Sequence, residues 1–205
     1  MAQVGPGVLR YDVTNTAIPI EAFSLDRTPV TNAQFEKFVR AQPHWRKPAL
    51  VFAQSTYLSQ GFKPPLYPVT NVSWFAARQY CAWQGKRLPT TDEWEFAAQV
   101  SGGRDAILDW YRHHDSRPLH AVGQGTPNRW GIYDLHGLIW EWVEDFNGAP
   151  VKYTDLAQSC GPVQRLRTKQ ADPLWAVRSS FRLSLQASYT TPHLGFRCAA
   201  SLKEP

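Results

Sequence analysis

The side chains with the clearest binding chemistry are arginines near the end of the chain. Arg165, Arg167, Arg178 and Arg182 lie within residues 151–205, which carry eight basic and three acidic side chains. The first 150 residues are balanced, so this last segment accounts for the whole formal net charge of +5. A guanidinium binds carboxylate or phosphate through two parallel hydrogen bonds. The set therefore predicts either an anion-binding face or solvated and internally paired charges.

The cysteines form a sparse set. Cys81, Cys160 and Cys198 have neither the number nor the spacing of a disulfide scaffold or a zinc site. Cys81 falls on the apolar face of a predicted helix, which favours a buried structural thiol. Cys160 lies in a predicted loop. It can bridge to Cys198, bind a soft metal with help from a histidine, or stay a free thiol.

Histidines offer a second kind of chemistry. His113, His114 and Asp115 are consecutive, and adjacent side chains diverge, so a solvated loop is favoured over a shared metal ion. His193 is a candidate for titration near neutral pH, with an ordinary surface histidine as the alternative.

Three short helices are predicted from their N-terminal signals. Thr31 with Gln34 and Thr90 with Glu93 have the spacing of capping boxes, and Ser73 is a good N-cap. Apolar residues follow each signal at helical spacing.

Short strand-like runs lie between and after these helices, bounded by Pro, Gly and Asn. Two longer stretches, 41–65 and 151–173, are predicted to be loops. The pattern indicates one loop-rich α+β domain over residues 1–205, in which aromatic side chains join irregular segments. The strand-like runs are Leu66–Val72, Gly131–Leu135, Leu138–Val143 and Gly195–Ala199.

Several classes of protein are excluded by what the sequence lacks. No apolar run is long enough to span a membrane, and the first 11 residues contain no apolar core of a signal peptide. Export with a removed leader stays open. The basic segment has neither a groove-reading helix nor an aromatic stacking platform, so no nucleic acid is expected as a partner.

Four motif-like segments occur along the chain: LDRTPVTNAQFEKFV, PVTNVSWFAARQYCAWQGKRLPTTDEWEFAA, NRWGIYDLHGLIWEWVED and LGFRCA. In sequence and order they resemble the formylglycine-generating-enzyme (sulfatase-modifying factor) superfamily. The resemblance implies a C-type-lectin-like fold with small mixed sheets, few short helices and much coil.

The oxidases of that superfamily bind copper through a CxxxxC pair between the WEW segment and the final GFRC. Thiolates suit Cu(I), so the residue type follows from the metal. In this chain the interval from Val143 to Arg197 holds one cysteine, Cys160, and the pair would fall near Pro173 and Arg178. The resemblance therefore implies that formylglycine-generating activity is absent. Copper or iron held by a different ligand set, with Cys160 and a histidine, stays open.

The resemblance also implies a calcium site and a cleft. Gly137, Ile139 and Glu141 occupy the family's calcium position, where carbonyl and carboxylate oxygens suit a hard cation. Leu138 replaces the family's asparagine there, and pairing of Glu141 with an arginine is the alternative.

The cleft is expected to be lined by Trp142, Arg178, Arg182 and His193. In the family the second tryptophan of WEW lines this cleft, and His193 replaces an asparagine that does so. The alternative for Trp142 is packing in the core.

The closest overall likeness is to the short bacterial NirV-like branch found beside copper enzymes, carried by HGLIWEWVEDFN and FRLSLQASYT. The leading hypothesis is a pseudoenzyme that acts as an exported or periplasmic binding or accessory protein, linked to copper-enzyme maturation; a cytoplasmic location is the alternative. Its expected partner is a peptide, a protein or a small anionic ligand. A metal-dependent oxidoreductase and a structural scaffold domain are the alternatives.

Overall fold

A computed structural model describes residues 1–11, 16–46, 56–62, 64–99, 104–147 and 173–202. Cys160, Arg165 and Arg167 lie outside these residues. The described helices are α1 (Asn32–Ala41), α2 (Trp74–Trp83), α3 (Thr91–Ala97), α4 (Arg104–His113) and α5 (Pro173–Ser184). The described strands are β1 (Ala2–Val4), β2 (Gly7–Tyr11), β3 (Thr16–Ile20), β4 (Phe23–Leu25), β5 (Trp140–Trp142), β6 (Leu194–Phe196) and β7 (Ala199–Ser201).

The three predicted helices are confirmed with their caps. The Thr31 hydroxyl accepts from the Gln34 amide, and the Gln34 side chain accepts from the Thr31 amide, which completes a capping box. Thr90 and Glu93 do the same at α3. Ser73 caps α2 by accepting from the Ala76 amide. These signals are local, so they can be recognised without tertiary information.

The sheets are small and draw on distant parts of the chain. β4 is the centre of an antiparallel sheet with β1 on one side and β7 on the other. β2 and β3 form an antiparallel pair, whereas β5 and β6 pair in parallel. The predicted runs at 66–72 and 131–135 do not form strands; the first contributes only an isolated bridge between Thr31 and Pro68.

An aromatic core joins α1 and α2 to β6. The Phe35 ring lies 5.6 Å from Tyr80 and 6.0 Å from Phe196, and Phe38 lies 5.6 Å from Tyr80. Phe35, Phe38 and Phe196 are fully buried. Aromatic side chains bury a large area each, so a few of them hold together elements only three to ten residues long.

A disulfide ties the same region together. Cys81 in α2 is bonded to Cys198 next to β7, with their Cα atoms 5.6 Å apart. Cys81 is buried and structural as expected, but it is half of a disulfide rather than a thiol, and the candidate bridge from Cys160 to Cys198 was wrong. The cause is tertiary: backbone hydrogen bonds between Arg87 and Ala199 bring the segment after α2 alongside β7.

Candidate functional site

Two buried clusters of paired charges occupy the region where the sequence placed its candidate site. The first joins Glu141 in β5 to Arg197, just after β6, and both side chains are fully buried. Arg197 Nε donates to both carboxylate oxygens, and Arg197 Nη2 donates to Oε1 at 2.7 Å. Trp94 Nε1 also donates to Glu141 at 2.8 Å.

Glu141, the one carboxylate of the predicted calcium position, is thus bonded to other side chains. Both oxygens of Glu141 already accept hydrogen bonds, so the alternative of an internal ion pair is the one found. Ile139 is buried, and Gly137 is exposed with φ of +94°. Within the described ranges, no three His, Cys, Asp or Glu side chains are grouped so as to hold a metal ion.

The second cluster contains two ion pairs and joins α3 to α5. Arg178 Nε donates to Glu95 Oε1 at 2.9 Å, and Arg182 Nη1 donates to the same oxygen at 2.6 Å. All three side chains are buried, with at most 8% of each exposed. The two guanidiniums also lie over the Trp94 ring, at 5.6 and 4.9 Å from its centroid. The prediction that Arg178 and Arg182 line an open cleft is therefore corrected, because Glu95 already binds both.

Burial and the nearby arginines shift the pKa values of Glu95 and His136. Burial by itself would raise the pKa of Glu95, but Arg178 and Arg182 hold that pKa down at about 2. Burial, reinforced by the positive charge of Arg178, lowers the pKa of His136 to about 4. Neutral His136 donates from Nε2 to the Ala98 carbonyl oxygen, which only accepts, so Nδ1 is left to accept from the Tyr111 hydroxyl at 3.3 Å.

The tryptophans of β5 are also part of the core. Trp142 is fully buried, and its Nε1 donates to the Val72 carbonyl oxygen at 2.9 Å. Trp140 is buried and stacks on Phe181 of α5 with the ring centroids 3.9 Å apart. The expectation that Trp142 lines a cleft is thus corrected in favour of packing.

His193 is the one member of the predicted cleft that keeps partial exposure. Its ring lies 5.9 Å from that of His114, edge to face, and His114 in turn packs on Trp140. His114 therefore belongs to an aromatic cluster rather than to the solvated loop that was expected. His114 directly follows helix α4, which the sequence did not predict, and begins a short 3₁₀ helix, His114–Ser116.

An accessible cavity lies elsewhere, between α1 and the end of α2. Its volume is about 430 Å³. We call it the α1–α2 groove. Charged and aromatic side chains that line it are Asp26, Arg27, Lys37, Tyr80, Trp83 and Lys86.

Sequence reasoning missed both Glu95 and this groove. Glu95 lies in a helix between Trp94 and Phe96, and a charged residue placed among apolar neighbours is the one signal that it is buried with partners. The groove had no such signal, since residues from four separate segments form it.

Comparison with known proteins places the fold in a family. The chain is 26% identical to "Inactive C-alpha-formylglycine-generating enzyme 2" of Bos taurus, over 92% of this chain and 80% of that protein. It is 27% identical to "Formylglycine-generating enzyme" of Bos taurus, over 89% of this chain and 67% of that protein. One of these relatives is named as inactive and the other as an enzyme, so similarity alone does not assign the reaction to this chain.

Solved structures agree at the level of the fold. The structure of Treponema denticola variable protein 1 superposes with a TM-score of 0.64 at 19% identity, covering 98% of this chain and 95% of that one. The model of the sulfatase-modifying factor enzyme 1-like domain matches residues 3–202. The chain therefore belongs to the formylglycine-generating-enzyme (sulfatase-modifying factor enzyme 1-like) family.

Proposed function

We propose that this chain is a non-oxidase member of its family that acts by binding, as an accessory protein, rather than by oxidising a cysteine substrate. One observation carries the proposal. The chain has three cysteines, and the disulfide uses Cys81 and Cys198. Only Cys160 is left to supply a thiolate, so the two thiolates that Cu(I) needs in the family's oxidases are not available.

The chemistry of α5 supports the same proposal. Arg178 stands near the position expected for one copper-binding cysteine, and it is paired with Glu95 in the protein interior. A buried guanidinium is a poor neighbour for a metal cation, since like charges repel strongly where water is excluded. The name of the inactive bovine relative is consistent with a family branch that has lost catalysis.

The setting proposed for the chain is an oxidising compartment. Disulfides form and persist in exported and periplasmic proteins and are rare in the reducing cytosol, so the bond between Cys81 and Cys198 supports export. The likeness of two segments to the NirV-like branch extends the proposal to copper-enzyme maturation. Cells that lack this chain should then contain a copper enzyme with less bound copper, and an unchanged copper content would contradict the extension.

An activity assay of the proposal uses a peptide that contains the CxPxR motif of sulfatases. The chain is incubated with the peptide, copper, oxygen and a thiol reductant, and a formylglycine-generating enzyme serves as the positive control. Mass spectrometry should show the peptide cysteine unchanged by this chain and oxidised by the control. Conversion to formylglycine by this chain would overturn the proposal.

A further inference from the structure

The α1–α2 groove has the dimensions of a small-molecule site. Its volume of about 430 Å³ falls within the range of roughly 300–1,000 Å³ that is typical of ligand pockets. Its walls come from Met1, from the segment after β4, from one face of α1 and from the end of α2. Helices α1 and α2 are held by the aromatic core and the disulfide, and the segment after β4 is held by backbone hydrogen bonds to Cys198 and Phe196, so these walls do not need to be assembled on binding.

The groove carries an excess of positive charge. Lys86 Nζ is paired with Asp26 Oδ1 at 2.7 Å, and Asp26 Oδ2 also accepts from the Cys198 amide. Asp26 is therefore neutralised within the protein. Arg27 and Lys37 are exposed, and across the described part of the chain neither is joined to a carboxylate. Two cations on one concave surface attract an anion.

An aromatic surface accompanies these charges. Trp83 is 39% exposed, although its ring packs against Phe38 at 5.6 Å and Tyr80 at 6.1 Å. Burial and the Asp26 charge raise the pKa of Tyr80 to about 12, so its hydroxyl remains neutral at physiological pH and adds no negative charge. The indole of Trp83 is held in place at the edge of the cavity. The apolar part of a ligand can therefore pack on it without the entropic cost of ordering a mobile side chain.

We propose that the α1–α2 groove binds a small organic anion, with its acidic group held by Arg27 and Lys37 and its apolar body against Trp83. This inference rests on the proposed binding function and names its ligand class. It does not depend on the two buried arginines of α5.

The test measures binding of 1-naphthaleneacetate to the full chain by isothermal titration calorimetry. One molecule per chain should bind, and binding should weaken as salt is added, because exposed charges are screened. The neutral amide of the same compound, and acetate alone, should each bind about tenfold more weakly, since each lacks one half of the recognition. Equal binding of the amide, or no binding of the acid, would overturn the proposal.

Variants assign the binding to the groove. Arg27→Gln and Lys37→Gln should each weaken binding by about five- to tenfold, the loss expected for one charge-assisted contact. Arg40→Gln is the matched control, because Arg40 lies on the same helix and pairs with Glu36 rather than lining the groove. Trp83→Ala should weaken binding of the acid as well. Melting temperatures establish that each variant is folded.

Two outcomes of this series contradict the proposal. Unchanged affinity in both Arg27→Gln and Lys37→Gln places the ligand elsewhere. Binding of an acidic peptide with no binding of 1-naphthaleneacetate means that the groove serves a protein partner instead. Either result leaves the peptide-oxidation test unaffected, since that test depends on the cysteines alone.

Discussion

At the scale of single residues, the arginines that looked most like ligand-binding groups are part of the protein's interior. Arg178 and Arg182 share the carboxylate of Glu95, and Arg197 binds that of Glu141. Removing one partner of a buried ion pair is costly because the other charge stays buried without compensation.

Glu95→Gln should therefore lower the free energy of unfolding by about 3–5 kcal/mol, because it leaves two buried guanidiniums without a counter-charge. Urea denaturation followed by circular dichroism measures the loss. Glu36→Gln is the control, since Glu36 pairs with Arg40 at 2.8 Å on the surface of α1. It should cost at most about 0.5 kcal/mol. Equal losses in the two variants would show that the Glu95 cluster is not stabilising.

The lowered pKa of His136 predicts how the free energy of unfolding depends on pH. Its pKa is about 4 in the folded protein and 6.5 as the ordinary value, so the unfolded chain binds the proton more readily. Stability is then lost as the pH falls from 6.5 towards 4, by at most roughly 3 kcal/mol for a shift of this size. His136→Gln should flatten the stability profile between pH 6.5 and 4. An identical profile in the variant would contradict the assignment.

Protonation of Glu95 should destabilise the protein at a lower pH than protonation of His136. Its pKa is lowered from 4.5 to about 2, so the stabilisation that it provides is present above pH 4.5 and is lost as the pH falls through 2. Glu95→Gln should therefore be less sensitive than the unchanged protein over this range. Unfolding curves at pH 4.5, 3.5 and 2.5 make the comparison.

At the scale of elements, features with local sequence signals could be predicted, whereas long-range contacts could not. The caps at Thr31, Ser73 and Thr90 are complete within four residues, so the starts of α1, α2 and α3 could be predicted. The pairing of β4 with β7 joins residues far apart in the chain, and nothing local records it. The same reason hid the partner of Cys81. It also hid Glu95 as the partner of the arginines in α5.

The disulfide between α2 and the β7 region can be tested without a structure. Cys160→Ser removes the one cysteine outside the bond, so the denatured variant should show no reactive thiol before reduction and two after it. Peptide mapping should recover Cys81 and Cys198 in one linked fragment. Two free thiols in the oxidised variant would contradict the pairing. Cys81 and Cys198 would then also be available as metal ligands.

At the scale of the whole molecule, the chain keeps the family fold, and its sequence holds one cysteine between Val143 and Arg197. The four sequence motifs were sufficient to predict the family and the α+β class. They were not sufficient to predict the site, because Trp142 and Arg182 have types that suit a cleft and positions that are buried. No described helix is long and apolar enough to cross a membrane.

The surface instead presents a groove whose charge and aromatic wall suit a small anion. The basic character that first drew attention to the C-terminal segment is, in the described part of that segment, largely neutralised by Glu95 and Glu141. Among the described residues, the exposed cations that line the groove are Arg27 and Lys37, which lie near the N-terminus. Net charge in a stretch of sequence and charge on a surface are thus different properties.

The measurement that tests the non-oxidase claim most directly is an anaerobic competition for Cu(I) between this chain and a chromogenic Cu(I) chelator. Ascorbate keeps the copper reduced and leaves the disulfide intact. With Cys81 bonded to Cys198, one thiolate is available at most, so the chelator should retain its copper and its absorbance. Transfer of one Cu(I) per chain, lost in Cys160→Ser, would contradict the claim.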